Sequence, residues 1–578
     1  MPALPRLMRK TIRGHVYWYA VESKRVDGKP RIVWQRYLGK LEDIIARCTE
    51  GPAAFDVEVY EFGAIAALLT IADRLGLEGI IQRHAPQGRQ QVGAGKYLLL
   101  AAINRVVAPK SKTQIGPWYE RTVLRRLWGL PAQHFTSQRF WEAMDHLDDT
   151  TLREIEAEVV GAAVAQFGVR LNGLIYDATN FFTYIGTPNP ASLPQRGHNK
   201  QKRGDLRQVN LALLASADGH VPLLHEVYPG NVPDAKEFAA VYTRLVQRCR
   251  ALCDDPDVTL VFDKGNNSHD NLGQVAADGL HFVSSLVPSQ HKDILGVPLA
   301  SYREVNATRW PGLLAYRTTK RVFGAERVVV ATFNPALWEG QMRGLNTQRA
   351  KIEVALATLS AKLARWATSD APRGKKPTAE STRKVIARLL RGREPGPFLR
   401  YEVTTDDDHA VHLSYSWDDA GLQAMIDMHF GKTLLFTDRT DWTDEQIVAA
   451  YRSQAKIEDA FRQMKDAHFV SWRPLLHWTD QKVRVHAAYC VLALLLSSLL
   501  LREVRRAGID TGMDRLLETL SGIKGVIDLP RQSSRNKSVP VAIRLTRRDP
   551  EQERLFQSLG LRRFHPEPPK TKAGTTPA

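Results

Sequence analysis

Apolar positions change their spacing several times along the chain, and each change predicts a different kind of element. The first runs, GHVYWYAVES and RIVWQRYLG, set aromatic and β-branched residues on either side of Asp27-Gly28, the pattern of a β-hairpin. From 57 to 165 the spacing becomes helical, as in AIAALLTIADRLGL and GKYLLLAAINRVV, with Thr136 and Ser137 placed to cap a helix beginning QRFWEAMDHL. From 170 the texture turns to strands. LNGLIYDATNFFTY reads as one strand, and QVNLALLASADGHVPLLHEVYPGN as two around the Ala217-Asp218-Gly219 turn. A helical EFAAVYTRLVQRC then leads to a short apolar strand in DVTLVFDKGN. Strand, hairpin, helix, strand predicts an α/β domain, a mixed sheet with helices on its faces.

Residues 290–437 break that rhythm. Strand-like pieces (RVVVATFNP, PFLRYEVTT, AVHLSYSW) alternate with a helical stretch over 341–367 and a basic loop, APRGKKPTAESTRK. This block predicts an α+β insertion into the α/β domain. The domain resumes with a helix, YRSQAKIEDAFRQMKD at 451–466, whose polar residues are not scattered. At about 100° per residue, Tyr451, Gln454, Glu458, Arg462 and Lys465 fall at roughly 0°, −60°, −20°, +20° and −40°. Ile457, Ala460, Phe461 and Met464 gather on another side as the core face, and Asp459 points away at roughly 80°. The apolar run AAYCVLALLLSSLLL, 487–501, falls short of the roughly 20 residues that span a bilayer, so it predicts a buried helix. The pattern divides the chain into a hairpin module at 1–50, a helical region at 51–168, core segments at 169–289 and 438–501 flanking the 290–437 insertion, and a basic region at 502–578 with a disordered tail.

Charge then narrows the partner. The 578 residues carry 80 Lys and Arg against 62 Asp and Glu, a net charge of +18 with a pI near 9.7. That balance points to a polyanion, nucleic acid first. The C-terminal 502–578 alone holds 16 basic against 9 acidic residues. Lys110, Lys112, Arg121, Arg125 and Arg126 lie among Trp118, Tyr119 and Trp128, a mixture that suits DNA-backbone contact or the solvated side of a helical bundle. Cys48, Cys249, Cys253 and Cys490 form no CxxC pair, which argues against a disulfide framework or zinc site and for a reducing cytoplasm. Residues 1–25 have no apolar core of the secretory type, and no membrane partner is expected.

Two carboxylates draw the chemistry together. Asp177 follows the apolar LIY and Asp263 the apolar TLVF, at the C-terminal side of predicted strands, where α/β sites are built. With Glu458 on the one-sided helix they make three acids able to hold a pair of Mg²⁺ ions about 4 Å apart, Asp177 bridging and the others taking one ion each. His198, Lys200, Lys202 and Arg203 form a basic loop after the first strand, suited to DNA backbone or to solvent alone. Asp205 and Asp234 read as turn residues, and Gly230-Asn231 as a place for positive φ.

At these residues the chain resembles bacterial insertion-sequence transposases of the DDE class, in the Y-R-E-K superfamily of insertion sequence family four and its relatives. LIYDATNFFTY resembles the first motif, VFDKGNNS the second, and Tyr451, Glu458 and Lys465 the third, with Gln454 where the signature has Arg. Arg462 or Arg452 could supply the missing charge. The likeness runs over 170–500. It implies an RNase H-like core with an insertion between the second Asp and the Glu, and catalysis by Asp177, Asp263 and Glu458 with two Mg²⁺ ions, or Mn²⁺ in their place. It also implies DNA contacts from Tyr451 and Lys465, and a homodimer acting on terminal inverted repeats and target DNA in a bacterial cytoplasm, at the nucleoid. The competing readings are a metal-dependent nuclease of the same fold and a domesticated DNA-binding protein without chemistry.

Overall fold

The computed structural model describes residues 6–26, 29–49, 55–85, 91–186, 191–197, 203–232, 234–252, 257–368, 375–530 and 542–565. The basic loop residues His198, Lys200 and Lys202, the Asp27-Gly28 turn, Cys253 and the tail after 565 lie outside them. The chain forms two compact units, one of 1–70, 116–132 and 515–578, the other of 71–115 and 133–514.

In the first unit, β1 (Arg6–Ile12), β2 (His15–Val26) and β3 (Lys29–Gly39) form an antiparallel sheet in that order. A second sheet joins the two ends of the chain: β4 (Phe55–Glu61) pairs antiparallel with β16 (Lys524–Pro530), and β16 with β17 (Ala542–Leu545). Lys524 and Glu61 face each other across that pairing and form an ion pair.

The second unit is built on nine strands. They are β5 (Gly173–Thr183), β6 (Arg207–Ser216), β7 (Pro222–Pro229), β8 (Thr259–Val261), β9 (His281–Ser285), β10 (Arg303–Glu304), β11 (Leu314–Val322), β12 (Ala325–Phe333) and β15 (Lys432–Thr437). Their order is β10-β11-β12-β15-β9-β8-β5-β6-β7. Only β5–β8 and β8–β9 are parallel; every other pairing is antiparallel. The interior strands read as continuous apolar runs because both faces are covered: β8 is buried throughout, and β6 at every residue but its first.

Strands β10–β12 and β15, all within 290–437, thus extend the main sheet. The rest of that block folds on itself. A 33-residue helix, Pro335–Ala367, packs with helix Ala379–Leu390 and the hairpin of β13 (Leu399–Thr405) and β14 (Val411–Trp417). Ile352, Leu356, Leu363, Ile386, Leu399, Val403 and Val411 form its core.

Helix Asp480–Arg506 carries the 487–501 run. Among the described residues it is the one helix long and apolar enough to cross a membrane, and 94% of its apolar window is buried inside the protein. It packs against β7 and against helices Ala94–Val107 and Asp149–Phe167. Thr136 caps helix Ser137–Asp145 by accepting from the Arg139 amide, as its sequence position suggests. Gly230-Asn231 departs from expectation: neither residue has positive φ. A Cβ at Gly230 would stand 2.0 Å from the Gln208 carbonyl oxygen, so close backbone approach, not handedness, requires glycine there.

Candidate active site

Asp177 lies within β5 rather than at its end, since the strand continues to Thr183 paired with β6. On the other side β8 is short. The parallel ladder stops at Ile175–Val261, and two residues further along each chain stand Asp177 and Asp263. Asp177 is still within β5, whereas Asp263 stands in extended backbone just past the end of β8. Both are half-buried. The Ala178 amide donates to Asp177 Oδ1 at 2.8 Å, and Asp263 precedes a short 3₁₀ turn, Lys264–Asn266.

Helix Asp444–Lys465 lies across β5, β8, β9 and β15. It starts at a capping box, in which Thr443 and Gln446 satisfy each other's amides. Ile457, Phe461 and Met464 are buried as the core face, while Ala460 is half-buried. The opposite edge carries Glu458, which is exposed. Tyr451 ties the helix to the strand ends: its hydroxyl donates to Ser285 Oγ at 2.9 Å. Burial raises the Tyr451 pKa, and the nearby carboxylates of Asp263 and Glu458 push it the same way. One phenol thus senses two of the three acids. Lys465 reaches the third side: its Nζ donates to Thr179 Oγ1 at 2.6 Å and lies 5.7 Å from the Phe181 ring centre. Thr179 is two residues beyond Asp177 on β5, hence on the same face.

Two helix residues stand differently from their angular positions. Gln454 is only 5% exposed, because at roughly −60° it borders the core face. Arg462 is 80% exposed and bends to Asp459, with Nη2 to Oδ1 at 2.9 Å. Arg452 instead sits over the Trp310 ring, 5.2 Å from its centre. In the loop after β5, Arg203 holds Asp205 through two hydrogen bonds, at 2.8 and 2.7 Å, and this pairing lowers the Asp205 carboxyl pKa to about 2. Lys112 turns inward: its Nζ donates to Tyr489 Oη at 2.9 Å, and burial drives its pKa well below that of a free lysine. Trp118 and Tyr119 are buried as well, which leaves fewer of that basic-aromatic group for a DNA surface.

The three acids offer hard oxygen donors on rigid elements, a set that suits Mg²⁺. Among the described residues, no three His, Cys, Asp or Glu side chains stand close enough together to hold an ion. The carboxylates share one edge without closing on one point.

Sequence reasoning missed three supports of this edge. Ser285 and Thr179 had no motif to mark them, although Thr179 follows the alternation from Asp177. Trp472, fully buried, stacks on Phe181 at 4.3 Å between ring centres and 12° between planes, and its amide donates to Met464 O at 2.8 Å. It therefore holds the end of the Glu458 helix against β5. Trp472→Ala should cost about 3–5 kcal/mol of stability, measurable as a lower urea midpoint; an unchanged midpoint would contradict this packing role.

A family model described as a transposase DDE domain matches residues 171–496, more than half of the chain. No curated protein matches. Among solved structures, the piggyBac transposase synaptic complex with hairpin DNA aligns over 79% of this chain and 79% of that one, at 7% identity and a TM-score of 0.37. The Mos1 transposase paired-end complex with left transposon end aligns over 34% of this chain and 60% of that one, at 10% identity and a TM-score of 0.15.

Proposed function

The chain belongs to the transposase DDE domain family, and on that premise we propose that it cuts and rejoins DNA at the ends of its own insertion sequence, with Asp177, Asp263 and Glu458 as the catalytic carboxylates. The observation that carries the reading is that Asp177 and Asp263 each follow by two residues the last pair of the β5–β8 ladder, Ile175–Val261, and that the helix bearing Glu458 lies across both strands. The finer assignments rest on pattern. The order β7-β6-β5-β8-β9, three antiparallel strands followed by two parallel ones, supports an RNase H-like core. The spacing of Tyr451, Gln454, Glu458 and Lys465 supports kinship with the Y-R-E-K transposases of insertion sequence family four.

Three carboxylates alone repel a phosphodiester, so this edge suits DNA chemistry only with cations beside it. Asp177, Asp263 and Glu458 would hold two Mg²⁺ ions, or Mn²⁺ in their place, and such ions supply Lewis-acid charge to the phosphorus centre and its attacking and leaving oxygens. The chain's own groups position the strand. The Lys465 ammonium pairs with a phosphate oxygen while anchored near Thr179. Tyr451 keeps its proton, because burial and two carboxylates disfavour the phenolate, and so remains a donor. Joining two ends calls for two copies of the chain in one DNA complex.

Purified protein, Mg²⁺, element-end DNA and a circular target together test the reading. Joined end–target products are expected. Cleaved ends without joining would favour a nuclease that only hydrolyses, and intact ends would reject both. Binding should also fall steeply with salt, given the net charge of +18. A protein making on the order of 6 to 10 phosphate contacts loses about 10³-fold or more between roughly 50 and 200 mM salt. Flat gel-shift affinity across that range would remove the DNA reading of the charge.

A further inference from the structure

A second site lies in the 335–430 block, on residues that the carboxylate edge does not use. The last turns of helix Pro335–Ala367 and the start of helix Ala379–Leu390 enclose a cavity of about 450 Å³. Lys362, Lys375, Lys376 and Lys384 line it, and all four are exposed at its rim. Its one lining carboxylate, Glu380, is held by Lys384 at 2.6 Å. Among the described residues, no carboxylate pairs with Lys362, Lys375 or Lys376. The described charged groups facing this space are therefore mostly positive.

The wall adds donors of a second kind. Helix Ala379–Leu390 has 12 residues and presents its first turn to the cavity, where amides carry partial positive charge. Thr378 and Ser381 cap each other there. One turn in, Thr382 also lines the cavity; it is 2% exposed, and its hydroxyl has no hydrogen-bond partner. Buried hydroxyls are nearly always paired. An oxygen-rich anion would pair this one and meet the ammonium groups together. Half-buried Leu359 and exposed Val385 add apolar surface to the lining.

We propose that this cavity seats a phosphate of a DNA backbone, giving the protein a DNA contact separate from its carboxylate edge. The inference rests on the DNA-acting function proposed above. A phosphate supplies several acceptor oxygens to a site made of donors, and its attachment to a long duplex suits ammonium groups that stand at an open rim.

The test uses the full chain, with Lys375→Glu/Lys376→Glu as one variant and Thr382→Val as another. Each is titrated with a short DNA duplex across a range of salt, and with inorganic phosphate alone. Wild-type protein should bind the duplex. The double variant should bind about tenfold more weakly, with a salt slope shallower by about one phosphate contact, and its thermal midpoint should be unchanged because both lysines are exposed. Thr382→Val should weaken binding about threefold or more, as a lost charge-assisted hydrogen bond would. Wild-type affinity and slope in both variants would overturn the inference and leave the transposase reading intact. A site that binds inorganic phosphate, and loses it in the double variant without any change in duplex binding, would overturn DNA as the source. Failure of wild-type protein to bind duplex would remove this inference together with the function it rests on.

Discussion

Asp177→Asn is expected to abolish cleavage of element ends while leaving their binding close to wild type. The substitution keeps size and shape, and the amide oxygen can still accept from the Ala178 N–H that now reaches Asp177 Oδ1. What disappears is one negative charge on the strand that lies at the centre of the site. Holding a cation at a reacting phosphate is worth several kcal/mol of barrier, so the rate should fall on the order of 10³-fold or more. Binding should persist, because a carboxylate contributes no attraction to a phosphate backbone. Asp263→Asn should behave alike, since Asp263 follows the strand paired with β5 and its carboxylate acts on Tyr451 together with that of Glu458. Cleavage on denaturing gels and affinity by gel shift give both quantities. Cleavage by Asp177→Asn at the wild-type rate would reject the active-site assignment.

Much of this edge was legible because local periodicity and tertiary burial agree there. The β6–β7 hairpin, the buried helix Asp480–Arg506 and the polar edge of helix Asp444–Lys465 each show in short windows, where side-chain spacing reports a face. Pairings across the chain leave no such trace. Nothing in the composition of 55–61 announces a partner at 524–530, and nothing in 303–333 distinguishes strands that extend the main sheet from strands of a separate insertion. Asp177 looks like a strand end because the apolar run stops there; the strand continues because β6 still pairs with it after β8 has ended. The helical count places Cα directions but not the reach of long side chains. It therefore set Arg462 toward the acids, whereas its guanidinium turns to Asp459, and it left Gln454 on the polar side when the neighbouring core covers it.

Those departures sharpen what substitutions on helix Asp444–Lys465 should do. Glu458→Gln should collapse cleavage on the order of 10³-fold with binding retained, since it removes the charge of an exposed carboxylate and no packing. Asp459 stands one residue away and is half-buried, but its carboxylate pairs with Arg462 at 2.9 Å and Lys456 at 3.9 Å on its own helix. Asp459→Asn should therefore be nearly silent in cleavage and cost at most about 1 kcal/mol of stability, the range of exposed ion pairs. Lys465→Ala differs from both. It deletes the ammonium that sits on Thr179 beside Asp177, so binding and cleavage should weaken together, as when a phosphate contact is lost. A helix that merely showed its solvated side to water would yield three near-neutral variants. The adjacent acids make the sharpest contrast, because each substitution removes one carboxylate charge, while only that of Glu458 acts on Tyr451 at the strand ends. Equal cleavage by Glu458→Gln and Asp459→Asn would sink the assignment of Glu458.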